Sequence, residues 1–155
     1  VPLACSNQVG TAKFFMGNGS YEISSFFEEW ASNGDKPTSI EVNTTTLDAF
    51  FLGNEKRECP DFIKMDIEGG GVYALLGCDL IIKKKRPVFF SESHTPEEDG
   101  AIGTLCRRHG YDAYRLKDER WVENIDEVYP SPKGVWGTLL LIPSEQRELA
   151  EKVLK

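Results

Sequence analysis

The chain has 155 residues, a net charge of −7 and a pI near 4.9, a balance that argues against nucleic acid as a main partner because phosphate neutralisation needs a basic face. It is 40% hydrophobic and 28% charged, as expected of one soluble domain that can bury a core without disulfides or metals. No apolar run approaches the roughly 20 residues that cross a bilayer, and "VPLACSNQVG" lacks the basic start and long apolar stretch of a signal peptide.

In chain order, "TAKFFM" (11–16) predicts a strand stopped by the turn signal "GNGS". Residues 24–34 predict a short helix ending at Asn33-Gly34. "TSIEVNTTTLDAFF" (38–51) starts as a β-branched strand, and Thr46-Leu47-Asp48 opens a short helix. "DFIKMDI" (61–67) is a short apolar run with strand character. From Val72 to Lys85, apolar residues recur at three- and four-residue steps, which predicts one helix. "PVFFSES" (87–93) is a buried strand. Thr95, Pro96 and Glu98 form a capping-box helix start, and that helix stops at His109-Gly110. "YDAYRL" (111–116) and "GVWGTLLLI" (134–142) are strands separated by a long polar segment, and 144–155 is a final helix. Alternating strands and helices with apolar strands predict an α/β fold, a mostly parallel sheet covered on both faces. The two late strands form an antiparallel pair at one edge.

Four cysteines, Cys5, Cys59, Cys78 and Cys106, are scattered without a CxxC pair. They read as reduced, mostly buried thiols of a cytoplasmic protein rather than a zinc site or disulfide framework. Two triplets, "NGS" and "NTT", have the form of glycosylation sites, but such triplets arise often by chance. "KKKRP" (83–87) fits a solvated helix end better than a phosphate site.

In open α/β sheets, ligands bind beyond the carboxyl ends of the strands. Asp66 and Glu68 lie where one strand ends, and Glu92 and His94 where the next one ends. If the strands are parallel neighbours, the four groups meet at one rim, where they can move protons or hold a polar substrate. Along the first strand, Phe62, Lys64 and Asp66 share one side, and Ile63, Met65 and Ile67 share the other. Lys64 is hard to bury, so its side should be open and Asp66 should point into a cleft near Glu92 or His94. The competing roles are structural. Asp66 could cap the next helix, Glu92 could pair with a lysine, and His94 could be an exposed loop residue.

In series, "TLDAF" (46–50), "PDFIKMDIEG" (60–69), "LLGC" (75–78), "RPVFFSE" (86–92), "RHGY" (108–111) and "GTLLLIP" (137–143) resemble the second half of the FkbM-type family of S-adenosylmethionine-dependent methyltransferases. The resemblance covers about residues 38–143. It implies a Rossmann-like class I methyltransferase fold and methyl transfer to a hydroxyl of a sugar or other small metabolite. It also makes Asp66 and Glu68 the matching positions of the family's acidic signature; together with the strand-end reading, the expected catalytic residues are Asp66 and Glu92, with Glu68 and His94 toward the substrate. Two features depart from the family. "EGGG" stands where "E-G-A-E" is usual. The glycine-rich cofactor loop has no counterpart before Thr11, so "VPLACSNQVGTAKF" corresponds to a third strand and its turn. The expectation is therefore a C-terminal part, with an N-terminal βαβα portion of roughly 60–80 residues missing. Such a chain would bind S-adenosylmethionine weakly. A non-catalytic half-domain, used for binding or for assembly into homo-oligomers through an exposed sheet edge, is the alternative. A divalent metal at Asp66 and Glu92 is disfavoured, since oxygen-ligand sites need more carboxylates than this rim offers.

Overall fold

A computed structural model describes residues 2–17, 24–32, 36–54, 57–122 and 137–154. The elements are β1 (Ala4–Cys5), β2 (Gly10–Met16), α1 (Glu28–Ala31), β3 (Thr38–Thr45), α2 (Leu47–Leu52), β4 (Phe62–Met65), α3 (Gly71–Leu76), α4 (Asp79–Lys85), β5 (Val88–Glu92), α5 (Pro96–His109), β6 (Tyr111–Arg115), β7 (Arg120–Trp121), β8 (Thr138–Pro143) and α6 (Arg147–Glu151). A single 3-10 turn, Ser144–Gln146, precedes α6. The predicted turn after Met16, the end of the first helix at Asn33-Gly34, and most of the segment before β8 lie outside the described residues.

Two sheets form. The small one has the order β1-β3-β2, with β1 parallel and β2 antiparallel to β3. The large one has the order β4-β5-β8-β6-β7. Strands β4 and β5 are adjacent and parallel, as expected, with Ile63 opposite Phe89 and Met65 opposite Ser91. The mostly parallel sheet is not observed. β8 runs antiparallel to both β5 and β6, and it lies between them rather than at an edge. β8 is buried at Leu139, Leu141, Ile142 and Pro143, and its central place provides neighbours on both sides. The early segment also differs from expectation, since Ala4–Cys5 and Gly10–Met16 belong to the small sheet.

One core fills the face of the large sheet beneath α3, α4 and α5. Phe89, Leu141 and Ala113 project from three neighbouring strands, and Leu75, Ile82, Ile102 and Cys106 meet them from the helices. Burial pushes the Cys78 and Cys106 thiols up to about 12, which leaves them inert. All four cysteines are free thiols.

The helix expected over 72–85 is two helices. α3 ends at Gly77, and α4 starts anew after Cys78. The break exposes N–H groups at the start of α4, and the Asp48 carboxylate accepts those of Leu80 and Ile81 at 2.9 Å each. The Asp48 N–H in turn donates to the Gly77 carbonyl. Thr46 caps α2 by accepting the Ala49 N–H. The "TLDAF" stretch thus locks one helix to another. Asp48→Ala leaves two helix-end donors unpaired and is expected to cost about 1–2 kcal/mol, read as a lower urea midpoint with an unchanged slope.

The basic cluster splits in two. Lys83, Lys84 and Lys85 are exposed in the last turn of α4, as expected. Arg86 turns inward and donates to the carbonyls of His109 and Gly110 at the end of α5 while pairing with Glu145.

Candidate functional site

Because β4 and β5 are parallel, their carboxyl ends open on the same rim. Asp66 follows β4, Glu92 ends β5, and His94 lies two residues further on. The three side chains converge. His94 Nε2 lies 3.9 Å from an Asp66 oxygen and 3.7 Å from a Glu92 oxygen. Lys64 donates to Asp66 at 2.9 Å, and that contact holds its ammonium above the ordinary range. The open side of β4 is as expected, with Phe62 56% exposed and Lys64 exposed, while Met65 is buried opposite. Ile67 departs from the pattern. The chain turns after Asp66, with the Gly70 N–H bonded to the Ile67 carbonyl, so Ile67 faces the cleft instead of the helix layer.

The Asp66 carboxylate does not cap α3. That helix starts after Gly70, and the N–H of its first residue, Gly71, is accepted by Glu98, while Asp66 pairs with Lys64 and His94 instead. Glu68 holds a left-handed backbone, φ 44°, which is uncommon for a residue with a side chain. The buried Ser25 hydroxyl donates to its carbonyl at 2.7 Å and fixes the turn. All four expected residues therefore gather at the rim.

A cleft of about 990 Å³ opens over this rim. Asp66, Glu68 and Glu92 line it on one side. The small sheet and the segment between β2 and β3 supply an apolar wall, with Phe14, Met16, Phe26, Ile40 and Val42. Among the described residues that line the cleft there is no lysine or arginine. Sequence reasoning missed this wall, because the strand of 11–16 carries no signal of where it packs.

Asp66, Glu68 and His94 each offer one ligand atom within 4.8 Å of the others. Such a trio can hold a divalent cation, although Glu92, the partner considered from sequence, is not among the three. Lys64 already supplies a positive charge against Asp66.

Behind the rim sit two carboxyl groups that are almost fully buried, Glu98 and Asp99. Glu98 completes the expected capping box, and its oxygens accept the N–H groups of His94 (2.7 Å), Thr95 (3.2 Å) and Gly71 (2.9 Å). Burial pushes Asp99 up to about 6, against the opposing pull of the Ser93 hydroxyl and Arg115. A folded value above the unfolded one means that the fold prefers the protonated acid. The associated stability is complete below about pH 4 and is lost as pH rises through about 6. Asp99→Asn is therefore expected to gain on the native protein by about 3 kcal/mol between acid and neutral pH, measured as the difference in urea unfolding free energy at the two pH values.

An α/β domain whose acids meet beyond two parallel strand ends, under an apolar-walled cleft, has the makings of a small-molecule site. The chain belongs to the FkbM methyltransferase family: the family's sequence profile, "Methyltransferase FkbM domain", matches residues 1–113. That match reaches further toward Val1 than the motif series and stops before "GTLLLIP". Comparison with curated proteins and with solved structures returns no match. Among the described residues, no helix is long and apolar enough to cross a membrane.

Proposed function

We propose that this chain carries the acceptor side of an S-adenosylmethionine-dependent O-methyltransferase of Rossmann-like class I fold, acting on a hydroxyl of a sugar or other small metabolite. The observation that carries the reading is the convergence of Asp66, Glu92 and His94 at the ends of adjacent parallel strands, in a chain of the FkbM family.

The residues suit the methyl-donor end of the cofactor. Three carboxylates line the cleft, one of them paired with Lys64, and no lysine or arginine is among the described lining residues, so the cleft has an acidic surface that a sulfonium cation complements. S-adenosylmethionine, when bound, supplies an electrophilic methyl group. Asp66 accepts the proton of the acceptor hydroxyl as its oxygen becomes nucleophilic. Glu92 and His94 orient that hydroxyl, and Glu68 contacts the body of the acceptor. Positioning supplies most of the acceleration. No glycine-rich cofactor loop of the family's form is seen before Thr11.

Calorimetry on the 155-residue chain is therefore expected to show cofactor binding weaker than the low micromolar range, about −8 kcal/mol. The test of function is methyl transfer from labelled S-adenosylmethionine to a panel of hydroxyl acceptors by the complete gene product. No labelled ether with any acceptor class would remove the reading.

One observation favours a second reading. β4 is an edge strand of the large sheet, and its first residue, Phe62, is exposed. An open edge recruits further strands, so a non-catalytic half-domain could assemble into homo-oligomers there. Concentration-dependent dimers in light scattering, together with absent methyl transfer, would support it. Either reading suits a cytoplasmic protein with no nucleic-acid or membrane partner, given its net charge of −7 and four free thiols.

A further inference from the structure

We propose that Glu98 is a positioning residue that sets the spacing between the two loops carrying the site. In a capping box, a glutamate reaches back to the start of its own helix. Glu98 does this through Oε2, which accepts the His94 and Thr95 N–H groups. Its other oxygen, Oε1, accepts at 2.9 Å the N–H of Gly71, the first residue of α3, where the loop after β4 ends, 27 residues earlier in the chain. One buried side chain thus joins the loop after β4, which holds Asp66 and Glu68, to the loop after β5, which holds Glu92 and His94.

The geometry leaves no slack. Glu98 is 2% exposed, and its oxygens are held from both sides. A Cβ at position 71 would lie 2.6 Å from Oε1 and 3.3 Å from the carboxyl carbon. The third glycine of "EGGG" is the space that the Glu98 carboxyl group occupies. His94 is held through its backbone N–H, and its ring Nδ1 lies 3.8 Å from Oε2, beyond hydrogen-bond reach. A change at Glu98 therefore reaches the Asp66–His94 distance of 3.9 Å through the His94 backbone N–H, with both side chains of that pair left in place.

The consequence for turnover rests on the methyl-transfer reading; the bridge itself does not. Three variants decide between them. Glu98→Gln replaces one accepting oxygen by an amide nitrogen that cannot accept. Thr95→Ala removes the other half of the capping box and leaves the bridge. Gly71→Ala presses on the bridge from the start of α3. Amide NMR of the chain is expected to show the Gly71 N–H moving in Glu98→Gln but not in Thr95→Ala, and the His94 and Thr95 N–H groups moving in Gly71→Ala. In the complete gene product, Glu98→Gln is expected to lower kcat by up to about 10²-fold with KM little changed, whereas Thr95→Ala keeps kcat. An unmoved Gly71 amide in Glu98→Gln, or unmoved His94 and Thr95 amides in Gly71→Ala, would overturn the bridge. Equal losses of kcat in Glu98→Gln and Thr95→Ala would reduce Glu98 to an ordinary cap. Should Glu98→Gln fail to fold, Gly71→Ala decides alone. A wild-type protein without methyl transfer removes the functional reading, and the amide shifts still judge the bridge.

Discussion

Asp66→Asn is expected to lower turnover of the complete gene product by about 10²–10⁴-fold, the range for loss of a general base, with the urea midpoint nearly unchanged. The substitution keeps the shape of the side chain and removes its capacity to take a proton. Little stability is at stake. The Lys64 contact is exposed, and exposed ion pairs contribute about 0–1 kcal/mol. The His94 contact, at 3.9 Å, is longer than a hydrogen bond. Among the described residues no backbone N–H donates to the Asp66 carboxylate, and the first N–H of α3, that of Gly71, is taken by Glu98. Rate assays at saturating acceptor and cofactor, paired with urea melts, separate the two roles. Full activity combined with a large loss of stability would make Asp66 a structural residue.

Gly77→Ala is expected to destabilise the fold by about 3 kcal/mol, at the upper end for overpacking. A Cβ there would lie only 2.2 Å from the Ser6 carbonyl oxygen and 3.1 Å from Thr46. The obstacle at Ser6 is backbone, which cannot swing aside as a side-chain tip can. Ser6 is itself held by its N–H bond to the Thr45 carbonyl, at the end of the small sheet. The Gly77 carbonyl also accepts the Asp48 N–H, so displacement there strains the cap of α4. Since the small sheet supplies Phe14, Ile40 and Val42 to the cleft wall, the damage should spread to the site. Thermal melts give the size of the effect. A melting temperature equal to that of the wild type would show that Ser6 can move freely.

Much of the site was legible because its signals are short. An apolar run ending in Asp66 and Glu68, and another ending in Glu92 and His94, place acids at strand ends wherever those strands go. Parallel pairing of the two strands follows from the helices between them. The capping box at Thr95 and the glycine stop after His109 were equally local, and both ends of α5 stand where they were expected. What escaped notice was carried by distant contacts. The period of Val72 to Lys85 is helical throughout, and nothing in it shows that Ser6 needs the room beside Gly77 or that Asp48 waits to cap a new start at Leu80. "EGGG" looked like a lost carboxylate; the fold shows the Glu98 carboxyl group in the space beside Gly71.

By itself, then, the sequence determined the family, the α/β class, the caps of α2 and α5 and the acids at two strand ends, because each depends on residues within a few positions of one another. Only the tertiary structure decided the central antiparallel place of β8, the break at Gly77, the apolar wall opposite Asp66 and the second bond of Glu98. Those depend on which buried faces fit together across the chain, and periodicity within a segment carries no record of the surface it will meet.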